Sequence, residues 1–180
     1  MTISNKLTIF RIILVPFFVL LLLMDNTVCT LISCFIFIIA SLTDTLDGYL
    51  ARKRNEITDF GKFLDPIADK ILVISAYVCF VQTDTILAWG VIVILFREFV
   101  VSGLRMSAAS KNVVIAADNS GKIKTVLQMV SIVMLILGLC GFNQFLIWNI
   151  LSYTLYYLSI LVALYSGISY LLKHKHILFN

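Results

Sequence analysis

Apolar stretches parted by short polar turns run the whole length of this chain, and that alternation leaves it few folds. Of its 180 residues, 61% are hydrophobic, 13% are charged and only two are proline. Lipid offers no hydrogen bonds to bare backbone, so such a chain must satisfy its peptide groups inside helices. The sequence therefore predicts an all-α integral membrane protein, a bundle of six transmembrane helices. The spans read as Ile12–Met24, Thr30–Leu50, Phe60–Val81, Thr85–Met106, Thr125–Cys140 and Phe145–Leu172. Residues Thr2–Phe10 read as a short N-terminal interfacial helix, with Ile3, Leu7 and Phe10 on one face and Asn5 and Lys6 turned away. No connection is long enough to fold by itself, so residues 1–180 are expected to form one domain.

Lysines and arginines set the orientation. All fourteen fall at or toward the ends that an even-numbered bundle places on one side, whereas the turns Asp25–Cys29, Gln82–Asp84 and Gly141–Gln144 hold none. The positive-inside rule then puts both termini in the cytoplasm. A net charge of +4 reports this topology and an attraction to anionic lipid headgroups, with no sign of nucleic-acid binding. Ile12–Met24 follows basic residues as a signal peptide would, but it lacks a convincing small-residue cleavage site and is expected to be retained.

Charged residues interrupt the spans at matching depths. The uncharged run from Thr30 to Thr43 measures about 21 Å as helix, Ile71 to Val81 and Ile86 to Phe96 about 17 Å each, and Thr125 to Cys140 about 24 Å, against a hydrocarbon core of about 30 Å. Asp44, Asp69, Arg97 and Lys124 should therefore arrive just inside the cytoplasmic half, around a water-accessible chamber. Phe145–Leu172 differs: it is uncharged and roughly 42 Å long, so it is expected to tilt or project, packing the outside of the bundle or a second subunit.

An Asp at the bilayer centre costs about 2.5–3.5 kcal/mol, so four close together imply bound cations. They stand in one tract: Asp44, two residues, Asp47 and Gly48, two residues, Ala51 and Arg52, eight residues, Gly61, three residues, Asp65, three residues, Asp69. On helices, Asp44, Asp47, Gly48 and Ala51 share one face, and Gly61, Asp65 and Asp69 form a second stripe. Gly48 and Ala51 leave room for a ligand, and Arg52 places a planar cation one turn beyond the acids. Pro66 either starts or kinks the second helix. Carboxylates without histidines favour a hard ion, Mg²⁺ or Mn²⁺, and two such ions suit a diphosphate. One aspartate is then free to take a proton from an attacking hydroxyl, while Arg97, Arg105, Lys122 and Lys124 hold a second anionic group on the acceptor.

These residues resemble the signature of the CDP-alcohol phosphatidyltransferases, D-xx-D-G-xx-A-R, eight residues, G-xxx-D-xxx-D, without a departure. Asn5–Arg11, reading N-K-L-T-I-F-R, and Gly121–Gln128, reading G-K-I-K-T-V-L-Q, together with Arg97-Glu98 and Gly103-Leu104-Arg105, resemble the bacterial branch that uses glycerol 3-phosphate. The resemblance implies that Asp44, Asp47, Asp65 and Asp69 hold two divalent cations, with Asp69 also the general base. The glycerol 3-phosphate hydroxyl would attack the phosphorus nearest the diacylglycerol of CDP-diacylglycerol, releasing CMP. Gly48, Ala51, Arg52 and Gly61 would line the CDP-diacylglycerol site; Arg105, Lys122, Lys124 and Arg97 would bind the acceptor phosphate, with Thr8 and Arg11 nearby. It further implies a homodimer in the bacterial plasma membrane, active site facing the cytoplasm.

Other readings stand beside these. Arg97 and Glu98 fit an intramembrane ion pair, or a Glu98 bond to a basic neighbour, as well as substrate contact. Lys53 and Arg54 fit plain topology charges, His174 and His176 an interfacial tail, and Tyr153, Tyr156, Tyr157 and Tyr165 helix packing. Cys29, Cys34, Cys79 and Cys140 lack metal-ligand spacing and read as small buried residues. An enzyme of the same family with another acceptor is the near alternative. A divalent-cation carrier is the distant one, disfavoured because only Asp25 and Asp84 are ionisable in the outer halves.

Overall fold

The computed structural model describes the backbone of residues 3–54, 59–110 and 119–179 and the side chains of residues 5–43, 67–68, 70–108 and 121–173. Among the described residues the fold is all-helical: α1 (Ile3–Leu23), α2 (Thr27–Arg54), α3 (Asp59–Gln82), α4 (Ala88–Ser110), α5 (Asn119–Leu139) and α6 (Leu146–Phe179), with one 3₁₀ turn at Phe142–Gln144. Short polar side chains punctuate these helices. The Asn26 carboxamide oxygen caps α2 by accepting from the Val28 and Cys29 amides at 2.8 and 3.4 Å. Asp84, at φ 53°, and Gly141, at φ 103°, adopt the left-handed backbone that turns the chain after α3 and α5. Within apolar helices, Ser33, Ser41 and Thr43 donate their hydroxyls to carbonyls three or four residues back, so these three hydroxyls are not left bare.

Helix α1 corrects one expectation. A separate interfacial helix was predicted over Thr2–Phe10, but α1 runs unbroken from Ile3 through Pro16 to Leu23. Its buried stripe is Asn5, Thr8, Arg11, Val15, Phe18 and Leu22, while Phe10 is exposed. Asn5 thus turns inward and Phe10 outward, the reverse of their assignment, while Lys6 is exposed as expected; in apolar surroundings the interior is where a polar side chain finds its hydrogen bonds.

The helices pack with α1 lying along both α2 and α3, α5 against α6 and α2, and α6 against α4. Phe18 and Phe37 join α1 to α2 with ring centroids 5.8 Å apart, and Tyr77 and Tyr156 join α3 to α6 at the same distance. Helix α6 buries one stripe, Ser152, Tyr156, Ser159, Ala163, Ser166 and Tyr170, and leaves Ile147, Leu161 and Tyr165 exposed on its other side. Small residues allow this approach. A Cβ at Gly90 would strike the Tyr156 hydroxyl and Ile160, and one at Gly167 would lie 2.9 Å from the Arg97 Cγ.

Outward faces are strongly apolar; Phe96, for instance, is 70% exposed, with Phe35, Phe99, Ile147 and Leu161 similarly bare. So continuous an apolar exterior does not belong to a water-soluble monomer. By length and composition, Asn5–Leu23, Gly121–Leu139 and Leu146–Lys173 are each able to cross a membrane, and Thr27–Thr43 and Lys70–Gln82 are shorter apolar pieces.

Candidate active site

Helix α2 is continuous through Asp44, Asp47, Gly48, Ala51 and Arg52, and α3 through Gly61, Asp65 and Asp69. Helical periodicity therefore sets the first four on one stripe and the last three on another, as their spacing predicts. Because α3 begins at Asp59, ahead of Pro66, the proline does not start the helix. The side chains of Asp44, Asp47, Ala51, Arg52, Asp65 and Asp69 lie outside the described ones, as do those of Lys53, Arg54, Lys62, His174 and His176, and residue Lys111 altogether.

A cationic side chain ties each acidic helix to a neighbour. Arg11, only 1% exposed, donates from Nε to the Ala40 carbonyl at 3.2 Å. In an α-helix that carbonyl also receives the amide of the residue four ahead, which here is Asp44. On α3, Lys70 follows Asp69 directly and donates to the Ser102 hydroxyl of α4. Thr8, fully buried one turn before Arg11, shares its inward stripe.

Behind these ties lies a buried charge cluster. The Glu98 Oε1 accepts from the Lys124 ammonium and from the Arg97 guanidinium, the latter at 3.1 Å. Arg97 also donates to the Ser166 hydroxyl at 2.6 Å, and the absence of a side chain at Gly167 admits its stem. Its Nε has no partner among the described residues. Among the described residues two cations thus meet one carboxylate, in a place where burial leaves their charges little screened by water.

The expected acceptor-binding residues consequently divide. Arg97 and Lys124 are brought together through Glu98, which realises the ion-pair reading. Lys122 is exposed, because two residues along a helix turn it to the opposite face from Lys124. Arg105 is also exposed; its Nε donates to the Tyr170 hydroxyl at 3.1 Å and its guanidinium stands 5.5 Å from that ring's centre. Three participants escaped sequence reasoning: Lys70, Ser166 and Gln128. Lys70 and Ser166 act across helices and carry no local signal. Gln128 had one, since it lies four residues after Lys124 and so on the same face.

Gln128 is 3% exposed, and its Nε2 has no acceptor among the described residues. Its backbone carbonyl accepts from the Ser131 hydroxyl at 2.9 Å, and Ser131 in turn meets the Tyr77 hydroxyl at 3.3 Å. Lys124, Gln128 and Ser131 thus form a polar buried line along α5.

An all-helical bundle that carries two acidic helices beside a buried basic cluster has the parts of a lipid phosphotransferase. The sequence profile of the CDP-alcohol phosphatidyltransferases matches residues 1–165, and the chain belongs to that family. A Bacillus subtilis protein named CDP-diacylglycerol–glycerol-3-phosphate 3-phosphatidyltransferase is 47% identical over 145 residues, covering 74% of this chain and 75% of its own. Proteins of the same name from Rickettsia typhi and Haemophilus influenzae are 37% and 38% identical, each covering 92% of this chain and 93% and 89% of their own.

Proposed function

We propose that the chain transfers the phosphatidyl group of CDP-diacylglycerol to glycerol 3-phosphate, giving phosphatidylglycerophosphate and CMP. The observation that carries this reading is the likeness, over nearly the whole chain, to proteins named for that reaction. The unbroken acidic pattern from Asp44 to Asp69 supports it. Six spans, both termini and the acidic segment on the cytoplasmic side of a bacterial plasma membrane, one domain over residues 1–180 and a homodimer complete the proposal. The short connections after α1, α3 and α5, which lack basic residues, support that topology.

Four carboxylates on two helices are a hard-oxygen donor set, suited to two Mg²⁺ or Mn²⁺ ions held by Asp44, Asp47, Asp65 and Asp69. When bound, such ions neutralise the diphosphate and stabilise the charge of departing CMP. The protein's own groups do the rest. Asp69 accepts the proton of the acceptor hydroxyl; that oxygen bonds to the phosphorus nearest the diacylglycerol, and the bond from this phosphorus to the oxygen bridging to CMP breaks. Gly48, Ala51, Arg52 and Gly61 line the CDP-diacylglycerol side. Arg97 and Lys124, with Glu98 between them, hold the acceptor phosphate. Lys122 and Arg105, being exposed, draw the anionic acceptor toward the site, and Thr8 and Arg11 brace its α1 wall.

Purified protein given CDP-diacylglycerol, glycerol 3-phosphate and Mg²⁺ tests this directly. CMP release that needs both substrates and the cation is the expected result. CMP release with serine or inositol phosphate in place of glycerol 3-phosphate would reassign the acceptor, and cation flux without CMP would overturn the enzyme.

A further inference from the structure

A buried donor with nothing to bond is expensive in an unliganded protein, and almost all such groups in folded chains find a partner. The Gln128 carboxamide nitrogen is one of three buried side-chain atoms without one among the described residues; another is the Nε of Arg97. Two orphaned donors therefore flank Lys124, one in its charge cluster and one on its own helix face.

Their chemistries differ. Arg97 carries charge and pairs best with anionic oxygen, whereas the neutral amide of Gln128 also donates well to a hydroxyl, the group left to it once Arg97 and Lys124 hold the phosphate. Gln128 also lies one turn from Lys124, about 6 Å along the axis, on the side away from the exposed Lys122. A phosphate held at Arg97 and Lys124 would thus have Gln128 one helical turn away, within the span of a three-carbon chain. Glycerol 3-phosphate offers two hydroxyls, one of which is consumed in the reaction. The other, on C2, has no partner among the groups assigned above.

We propose that the Gln128 amide donates to the C2 hydroxyl of the acceptor and so makes Gln128 a specificity-determining residue, a role that rests on the transferase reading. The Tyr77–Ser131–Gln128 backbone chain holds α5 in register for it. A site built to bond a hydroxyl discriminates against an analogue that lacks it, because its own donor is left bare.

The test compares glycerol 3-phosphate with 3-hydroxypropyl phosphate, which has the same phosphate and primary hydroxyl but no C2 hydroxyl. Wild-type full-length protein in detergent, with CDP-diacylglycerol and Mg²⁺, is expected to favour glycerol 3-phosphate in kcat/KM by roughly tenfold or more. In Gln128→Met that preference should fall below about threefold, through loss on glycerol 3-phosphate alone. Thermal stability should stay at or above wild type, since the amide bonds nothing before the acceptor arrives. Equal losses on both acceptors or an unchanged ratio would each overturn the assignment. Should Gln128→Met not fold, Gln128→Asn carries the same comparison, its shorter reach predicting the same collapse of preference. Wild-type protein that releases no CMP with glycerol 3-phosphate would instead sink the transferase reading itself.

Discussion

The guanidinium Nε of Arg11 donates to the Ala40 carbonyl at 3.2 Å, fastening α1 to α2 one helical turn ahead of Asp44. A fully charged group in so buried a place is costly unless bonded, so this contact holds the acidic helix at a set height and rotation. Arg11→Met is expected to lower stability by about 1.5–3 kcal/mol, the range for a hydrogen bond to a charged group, and turnover with it. Arg11→Lys should recover part of both. Unfolding in detergent, followed beside CMP release, checks the pair of effects.

Glu98 should couple to Lys124 strongly. Glu98→Gln leaves Arg97 and Lys124 facing each other with no carboxylate, and is expected to cost about 1–3 kcal/mol, less than for a fully buried pair because Glu98 keeps some exposure. Adding Lys124→Met should restore much of the stability and none of the activity. A double-mutant cycle on unfolding midpoints reads the coupling. Lys124→Met alone should raise the KM for glycerol 3-phosphate and leave that for CDP-diacylglycerol unchanged.

Glycines on α4 and α6 divide sharply by their surroundings. Gly90→Ala and Gly167→Ala insert a methyl into Tyr156 and the Arg97 stem respectively, and should each destabilise by about 1–3 kcal/mol. Gly103 has nothing within 4 Å of its would-be Cβ, and Gly103→Ala should be stabilising by about 0.5–1 kcal/mol through helix propensity alone. Melting temperatures of the three variants in one detergent decide the matter.

These relationships were unevenly legible in the sequence. Helix positions were, because an apolar setting leaves the backbone few alternatives: Phe60–Val81 was expected and Asp59–Gln82 is found. The acidic stripes needed only spacing and periodicity, so their register was legible too. The orientation of Asn5 on α1 is not legible, because the rule that polar residues face outward belongs to water, and Asn5 turns inward beside Thr8 and Arg11. Lys122 and Lys124 looked equivalent in the sequence, yet 200° of helical rotation separates an exposed ammonium from a buried one. Which helix Glu98, Lys70 or Ser166 would meet is a matter of packing between distant segments, and no local pattern encodes it.

The most direct measurement of the central claim is the rate of CMP release by single Asp→Asn variants. Asn keeps the size of Asp and removes its charge, so Asp44→Asn, Asp47→Asn, Asp65→Asn and Asp69→Asn should each lose at least about 100-fold, Asp69→Asn the most. Asp25→Asn and Asp84→Asn, in the turns after α1 and α3, serve as controls and should stay near wild type, since Asn tolerates the left-handed backbone at position 84. Near-normal CMP release from any of the four motif variants would contradict the account.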